Sequence, residues 1–170
     1  MEAMESKKVR ILVEGAMTAA LAVALSYVRL WTMPQEGAIT LENVPLFLFA
    51  LRWGVKAGLG AGSVAGLLLL VLSGYVIHPV QALLDYPVAF AVLALAALWR
   101  KPLWAGLALG ASARLLCHVL SGVIFFAAFA PEGINIWLYS TVYNATFMVP
   151  NLALAIVAVY IIWPRLSKWA

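Results

Sequence analysis

The most restrictive feature of this sequence is a succession of apolar runs of membrane-spanning character, broken by short stretches that carry most of its charge. The runs extend roughly from Ile11 to Leu30, Val44 to Trp53, Ala57 to Ser73, Pro79 to Trp99, Leu103 to Phe129 and Tyr139 to Trp163. A helix crosses a hydrocarbon core with about 20 apolar residues, so these runs predict an all-α integral membrane protein, a bundle of six transmembrane helices in a single domain over residues 1–170. Composition agrees, because 65% of the residues are hydrophobic, 11% are charged and the mean hydropathy is +1.00, whereas soluble domains are near half apolar. The first run follows the charged stretch MEAMESKKVR. It is too long for the apolar segment of a signal peptide and more spans follow, so it is expected to be retained.

Lysines and arginines number 11 against 7 acids. They lie in short clusters between apolar runs and form no continuous basic face, which argues against a nucleic-acid partner. Their placement instead predicts topology. Lys7, Lys8 and Arg10 precede helix 1, Arg52 and Lys56 lie between helices 2 and 3, Arg100 and Lys101 between helices 4 and 5, and Arg165 and Lys168 follow helix 6. These would all face the cytoplasm, with both termini inside. Glu36, Glu42 and Glu132 would then sit in outer loops, Arg29 would be the outer exception, and Arg114 lies within helix 5.

Helix 2, counted generously from Thr40 to Gly54, covers only about 22 Å at 1.5 Å per residue, short of a core of about 30 Å. The preceding stretch WTMPQEGAITLEN (31–43) must then descend into the protein, which is tolerated only where irregular backbone is covered by protein or lines a cavity. A ligand pocket open to the outside, under the loop between helices 1 and 2, is the simplest consequence; local bilayer thinning around a short helix is the alternative.

Polar residues inside the spans mark what the pocket would hold. Pro79 suits the first turn of helix 4, and His78, Gln81 and Asp85 follow at i, i+3 and i+7 on one face. Pro87 cannot donate to the Leu83 carbonyl, so a kink is expected beside Asp85. Intramembrane acids face the bundle or a wet cavity and are functional by default. Helix 5 offers Arg114, His118 and Ser121 on a matching face, and helix 6 adds Tyr139, Tyr143 and Asn144 near its outer end with Asn151 deeper. In the competing structural account, Asp85 pairs with Arg114 as a buried ion pair and the remaining groups only bridge helices.

Trp31, Tyr75, Tyr86, Trp137, Tyr139 and Tyr143 all fall toward the outer side. An interfacial aromatic belt accounts for such residues in general, but Trp31 and Trp137 lie in loops over the expected pocket. A carboxylate among aromatic faces suits a flat organic cation. Helix 1 carries a small-residue stripe, Ala16, Ala20 and Ala24, that would let another helix approach closely, and Gly58, Gly62 and Gly66 should pack helix 3 inside the bundle.

The motif inventory is otherwise sparse. There is no G-x-x-x-x-G-K-[ST], so ATP hydrolysis by the P-loop route is not expected of this chain. One cysteine, Cys117, allows no disulfide framework, and no metal-ligand spacing exists. No cofactor and no metal are expected. An intramembrane enzyme using His118 as base and Asp85 as acid is the reading from another class, weakened by the apparent lack of a second carboxylate at depth.

Four segments, EGAMTAALAVALSYVRLWTMPQEG, ITLENVPLFLFALRWGVKAGLGAG, HPVQALLDYPVAFAVLALA and LYSTVYNATFMVPN, together resemble the thiamine-specific substrate-binding (S) subunits of energy-coupling factor (ECF) vitamin transporters over nearly the whole chain. The resemblance implies a six-helix membrane protein that binds thiamine from outside and associates with a transmembrane subunit and two ATPase subunits. It implies that Ala16, Ala20 and Ala24 form the docking surface for the transmembrane partner and that the loop with Trp31 and Glu36 acts as a lid. It further implies that Asp85, Tyr86, His118, Trp137, Tyr139, Tyr143 and Asn144 line the thiamine site. The family position matching Asp85 often carries glutamate, so the acid here is one methylene shorter. Thiamine joins an aminopyrimidine to a cationic thiazolium, which suits directed polar groups beside aromatic faces and negative charge. An S subunit for another vitamin is the nearer alternative, although neutral flavin or anionic biotin would not call for an acidic pocket.

Overall fold

The computed structural model describes residues 2–169, with the side chains of residues 2–4, Glu36, Ser73 and Trp169 left undescribed. Six helices form the bundle: α1 (Glu2–Ser26), α2 (Asn43–Trp53), α3 (Val55–Ser73), α4 (Pro79–Leu98), α5 (Leu103–Phe125) and α6 (Ile136–Leu166). All except α2 are long and apolar enough to cross a membrane. α2, at 11 residues, spans only about 16 Å at 1.5 Å per residue. It is a buried half-span, with Phe47 and Leu51 inside the bundle.

Boundaries depart from the apolar runs for physical reasons. α1 begins well before Ile11, taking the charged stretch into the helix, and stops at Ser26 rather than Leu30. Leu30 instead donates its N–H to the Ile39 carbonyl at 2.8 Å, because the chain turns there into a hairpin of β1 (Trp31–Thr32) and β2 (Ala38–Ile39). These pair antiparallel, Trp31 opposite Ile39 and Thr32 opposite Ala38. α6 starts at Ile136, where Asn135 caps it by accepting from the N–H groups of Trp137 at 2.9 Å and Leu138 at 3.2 Å. At the other end of α2, Gly54 takes a φ of +87° that other residues reach only at a cost, and this lets α3 start immediately and run back along α2.

Helix α4 is uniform in neither pitch nor hydrogen bonding. Pro79 occupies its first turn behind the cap His78, whose Nδ1 accepts from the Val80 N–H at 3.1 Å. Residues Leu84–Val88 then form a π-turn around Pro87, and Val92–Leu98 tighten to a 3₁₀ helix. The kink expected from Pro87 is thus absorbed as a widened turn, with Ala89 N–H reaching back to Leu84. Close backbone packing holds this shape. A Cβ on Gly62 would lie 2.4 Å from the Phe90 carbonyl oxygen, and one on Gly66 would lie 2.5 Å from that of Tyr86. The glycine stripe of α3 is therefore internal and sets the α3–α4 distance.

The core gathers Phe47, Leu51, Leu93, Leu107 and Val159 with Ala19 and Ala22 of α1. Large aliphatic side chains such as Leu12, Val71 and Val157 face outward, as lipid-facing residues must. Ala16, Ala20 and Ala24 are exposed on the side of α1 turned away from the bundle. Glu14 on α1 accepts from Trp53 Nε1 at 2.6 Å and Arg10 Nε at 2.9 Å, and Arg52 Nε lies 3.3 Å away. A side chain at Gly54 would approach the Arg100 guanidinium. One end of the bundle thus collects Arg10, Arg52 and Arg100, and the hairpin lies at the other.

Candidate functional site

A cavity of about 180 Å³ opens among α3, α4, α5, α6 and the hairpin. Its polar wall is built by helical periodicity. Four-residue spacing brings Gln81 and Asp85 together on α4, and α5 presents Arg114, His118 and Ser121 opposite them. Asp85 receives three hydrogen bonds, from Ser121 Oγ at 2.7 Å, Gln81 Nε2 at 2.8 Å and His118 Nδ1 at 3.0 Å. The histidine's tautomer follows from its other side, where Arg114 Nε lies 3.3 Å from His118 Nε2. Arginine nitrogen only donates, so Nε2 accepts and the ring proton sits on Nδ1 facing the carboxylate. Gln81 is 1% exposed and is held in turn, accepting from Ile77 N–H at 3.1 Å and donating to the Tyr75 carbonyl at 3.1 Å.

The structure rejects an Asp85–Arg114 ion pair. Arg114 turns instead to the start of α2, where its Nη2 lies 2.8 Å from Glu42 Oε1, its Nη1 donates to Asn43, and its guanidinium stacks 4.0 Å over the Phe90 ring. Glu42, expected in an outer loop, is 9% exposed. The descending chain carries it inward, so a second buried carboxylate does exist at depth. Its charge is matched by Arg114, which leaves Asp85 with Gln81, Ser121 and His118 as its partners and no arginine or lysine. Among the described residues, no group of three His, Cys, Asp or Glu side chains could hold a metal ion.

Opposite the carboxylate stands an aromatic wall. Tyr139 and Tyr143 lie with ring centroids 6.3 Å apart, Tyr143 and Phe147 meet edge to face at 6.1 Å, and His118 meets Phe147 likewise at 6.3 Å. Tyr86 lines the cavity and accepts a hydrogen bond on its hydroxyl from Tyr75 N–H at 2.7 Å. Phe126 and Phe129 complete the rim. Asn144 uses its Nδ2 on the Ser140 carbonyl at 2.9 Å, so its oxygen is the atom offered to a ligand.

Asp85, Tyr86, His118, Tyr139, Tyr143 and Asn144 thus converge on one cavity. Trp31 and Trp137 do not. Trp137 lies two residues before Tyr139, roughly 200° around the helix from it, and is 54% exposed. Trp31 shares a strand face with its opposite residue Ile39, whereas Ala38 of the other face lines the cavity. His78 also stands apart, exposed and stacked on Phe125 at 4.8 Å. The side chain of Glu36 lies outside the described residues. Gln81 lines the cavity beside Asp85, on the face its spacing gave it, whereas Glu42, Phe126 and Phe147 were not singled out as site residues from sequence; for Phe147 a signal existed, since it continues the four-residue spacing of Tyr139 and Tyr143.

The model of the family described as thiamine transporter protein matches residues 12–169. The chain is 36% identical to the thiamine transporter ThiT of Bacillus subtilis, over 96% of this chain and 97% of that one. The chain belongs to the thiamine transporter protein family. A second family member, the thiamine transporter ThiT of Lacticaseibacillus paracasei, is 31% identical over 91% of this chain and 87% of its own. The solved structure of ThiT from Listeria monocytogenes superposes with a TM-score of 0.86 at 28% identity, covering 94% of this chain and 98% of that one. These family relatives are named as transporters and not as enzymes, and with its five long apolar helices this family member is a multi-pass membrane protein.

Proposed function

We propose that this protein is the thiamine-binding S component of an ECF-type importer, which captures thiamine outside the cell and delivers it through a transmembrane partner and two ATPase subunits. The observation that carries this reading is Asp85, a carboxylate held by Gln81, Ser121 and His118 with no arginine or lysine at its side, at the wall of an aromatic cavity, in a chain related throughout to thiamine transporters. A cation gains from the negative charge and from the ring faces together. The thiazolium would lie among Tyr139, Tyr143 and Phe147, while Asp85, His118 and Asn144 would satisfy the aminopyrimidine. Tyr86 would close the cavity behind it.

The orientation follows the positive-inside expectation, with the end that collects Arg10, Arg52 and Arg100 in the cytoplasm and the hairpin outside as a lid over the cavity. The exposed stripe Ala16, Ala20 and Ala24 would receive a helix of the transmembrane partner, since small side chains permit close backbone approach. Calorimetric titration of the purified protein with thiamine, riboflavin and biotin tests the ligand. Saturable binding of thiamine alone is expected, and binding of riboflavin or biotin in its place would overturn the assignment.

A further inference from the structure

The hairpin that overhangs the cavity rests on one stripe of α6. Tyr143, Phe147 and Asn151, at i, i+4 and i+8, each meet a different level of it. The Tyr143 hydroxyl donates to the Pro34 carbonyl at the tip. The Phe147 ring fills the space that a side chain at Gly37 would need, 2.9 Å from that Cβ position. Asn151 holds the base, and its contact differs in kind.

Within the hairpin, Leu30 N–H donates to the Ile39 carbonyl at 2.8 Å and Met33 N–H to the Gly37 carbonyl at 2.7 Å. That edge of β2 is therefore used by β1. Backbone groups alternate in direction along a strand, which turns the Ala38 carbonyl and the Thr40 N–H to the opposite edge. A buried free edge leaves polar groups unsatisfied. The Asn151 carboxamide supplies both missing partners, its Oδ1 accepting from Thr40 N–H at 2.8 Å and its Nδ2 donating to the Ala38 carbonyl at 3.0 Å. It serves as a third strand one residue long. Asn151 is 4% exposed and does not line the cavity, whereas Gly37, Ala38 and Thr40 do.

We infer that Asn151 is a positioning residue for ligand retention: its carboxamide is the fixed hinge of the hairpin over residues 30–40 and sets how long a ligand stays beneath it. This rests on the thiamine-binding reading above. Thr40 and Asn151 at the anchored end are buried, while the far end is a turn in which Gln35 takes a φ of 58°. Opening therefore pivots at Thr40. Without the anchor the hairpin loosens at both ends, so thiamine leaves faster although the groups around Asp85 stay in place.

Two measurements on the full chain test this. Asn151→Leu, close in volume, removes both hydrogen bonds, and the dissociation rate of thiamine should rise about tenfold with the association rate unchanged or faster. Asn151→Gln keeps the carboxamide and should fall between that variant and the wild type. In ligand-free protein, amide exchange at Thr40 should accelerate in Asn151→Leu while that of the α3 core stays at the wild-type rate. If wild-type protein binds thiamine but Asn151→Leu releases it at the wild-type rate, the hinge is refuted and the thiamine reading stands. If wild-type protein does not bind thiamine, that reading fails, and unchanged Thr40 exchange would independently refute the hinge. Should Asn151→Leu not fold, Asn151→Gln carries both comparisons, and wild-type values in both would overturn the inference.

Discussion

Arg114 Nη2 lies 2.8 Å from Glu42 Oε1, and both side chains are buried. This pair ties the middle of α5 to the entry of α2, and it takes up the one arginine that could have neutralised Asp85 from within α5. Removing one partner of a buried ion pair leaves the other charge uncompensated, which costs about 3–5 kcal/mol. Glu42→Leu is therefore expected to lower the unfolding temperature in detergent markedly. The double variant Glu42→Leu with Arg114→Leu should recover much of that loss, because no charge then remains unpaired. A double variant less stable than both single ones would contradict the pairing.

The aromatic wall predicts an asymmetry between two rings at the cavity end of the bundle. Phe126 lines the cavity, with its ring stacked 6.2 Å from Tyr75, while Trp137 points away. Phe126→Ala should weaken thiamine binding by about tenfold, the scale of one desolvated aromatic contact. Trp137→Ala should change affinity by less than about threefold, within the spread of surface substitutions. Equilibrium titration of the two variants side by side decides it, and the reverse ranking would place Trp137 over the ligand after all.

Helix α3 offers a test of packing with an internal control. A Cβ on Gly62 meets the Phe90 backbone at 2.4 Å, but one on Gly60 meets nothing within 4 Å. Gly62→Ala must separate α3 from α4 and should cost about 1–3 kcal/mol. Gly60→Ala should leave thermal stability unchanged or raise it slightly, because alanine favours the helix. Equal melting temperatures for the two variants would mean that α3 and α4 are not in backbone contact.

On α1, Ala20 is exposed on the stripe with Ala16 and Ala24. Ala20→Arg should leave thiamine binding by the isolated protein at the wild-type level, since the cavity lies elsewhere. In cells expressing the partner subunits the same variant should abolish thiamine uptake, because an arginine blocks close helix approach. Undiminished uptake would remove the stripe from the docking surface.

Much of the site was legible because it is written in helical spacing. Asp85 on α4, His118 and Ser121 on α5 and Tyr139, Tyr143 and Asn144 on α6 each share a face with their neighbours, so any bundle that buries those faces brings them together. The side of the bundle from which Trp137 projects was not legible, since the apolar run placed it in a loop before Tyr139, whereas the Asn135 cap starts α6 at Ile136 and so sets Trp137 roughly 200° around the helix from Tyr139. Glu42 was missed for a different reason. Its position depends on how far the chain after the hairpin descends, and that depth is fixed by Arg114, Asn43 and Asn151, which lie far apart in sequence. Pro87 announced a distortion in α4 but not its form. The π-turn is selected by close packing against Gly62 and Gly66 of α3, a tertiary constraint absent from the local sequence.

The most direct test of the account is a paired titration of the wild-type protein and Asp85→Asn with thiamine, in protein shown to be folded by its melting temperature. Asparagine keeps the size of the side chain and removes its charge, so the account predicts saturable binding by the wild type and affinity at least about tenfold weaker in the variant. Equal affinity in the two proteins would contradict the claim that Asp85 is the charge that selects the ligand.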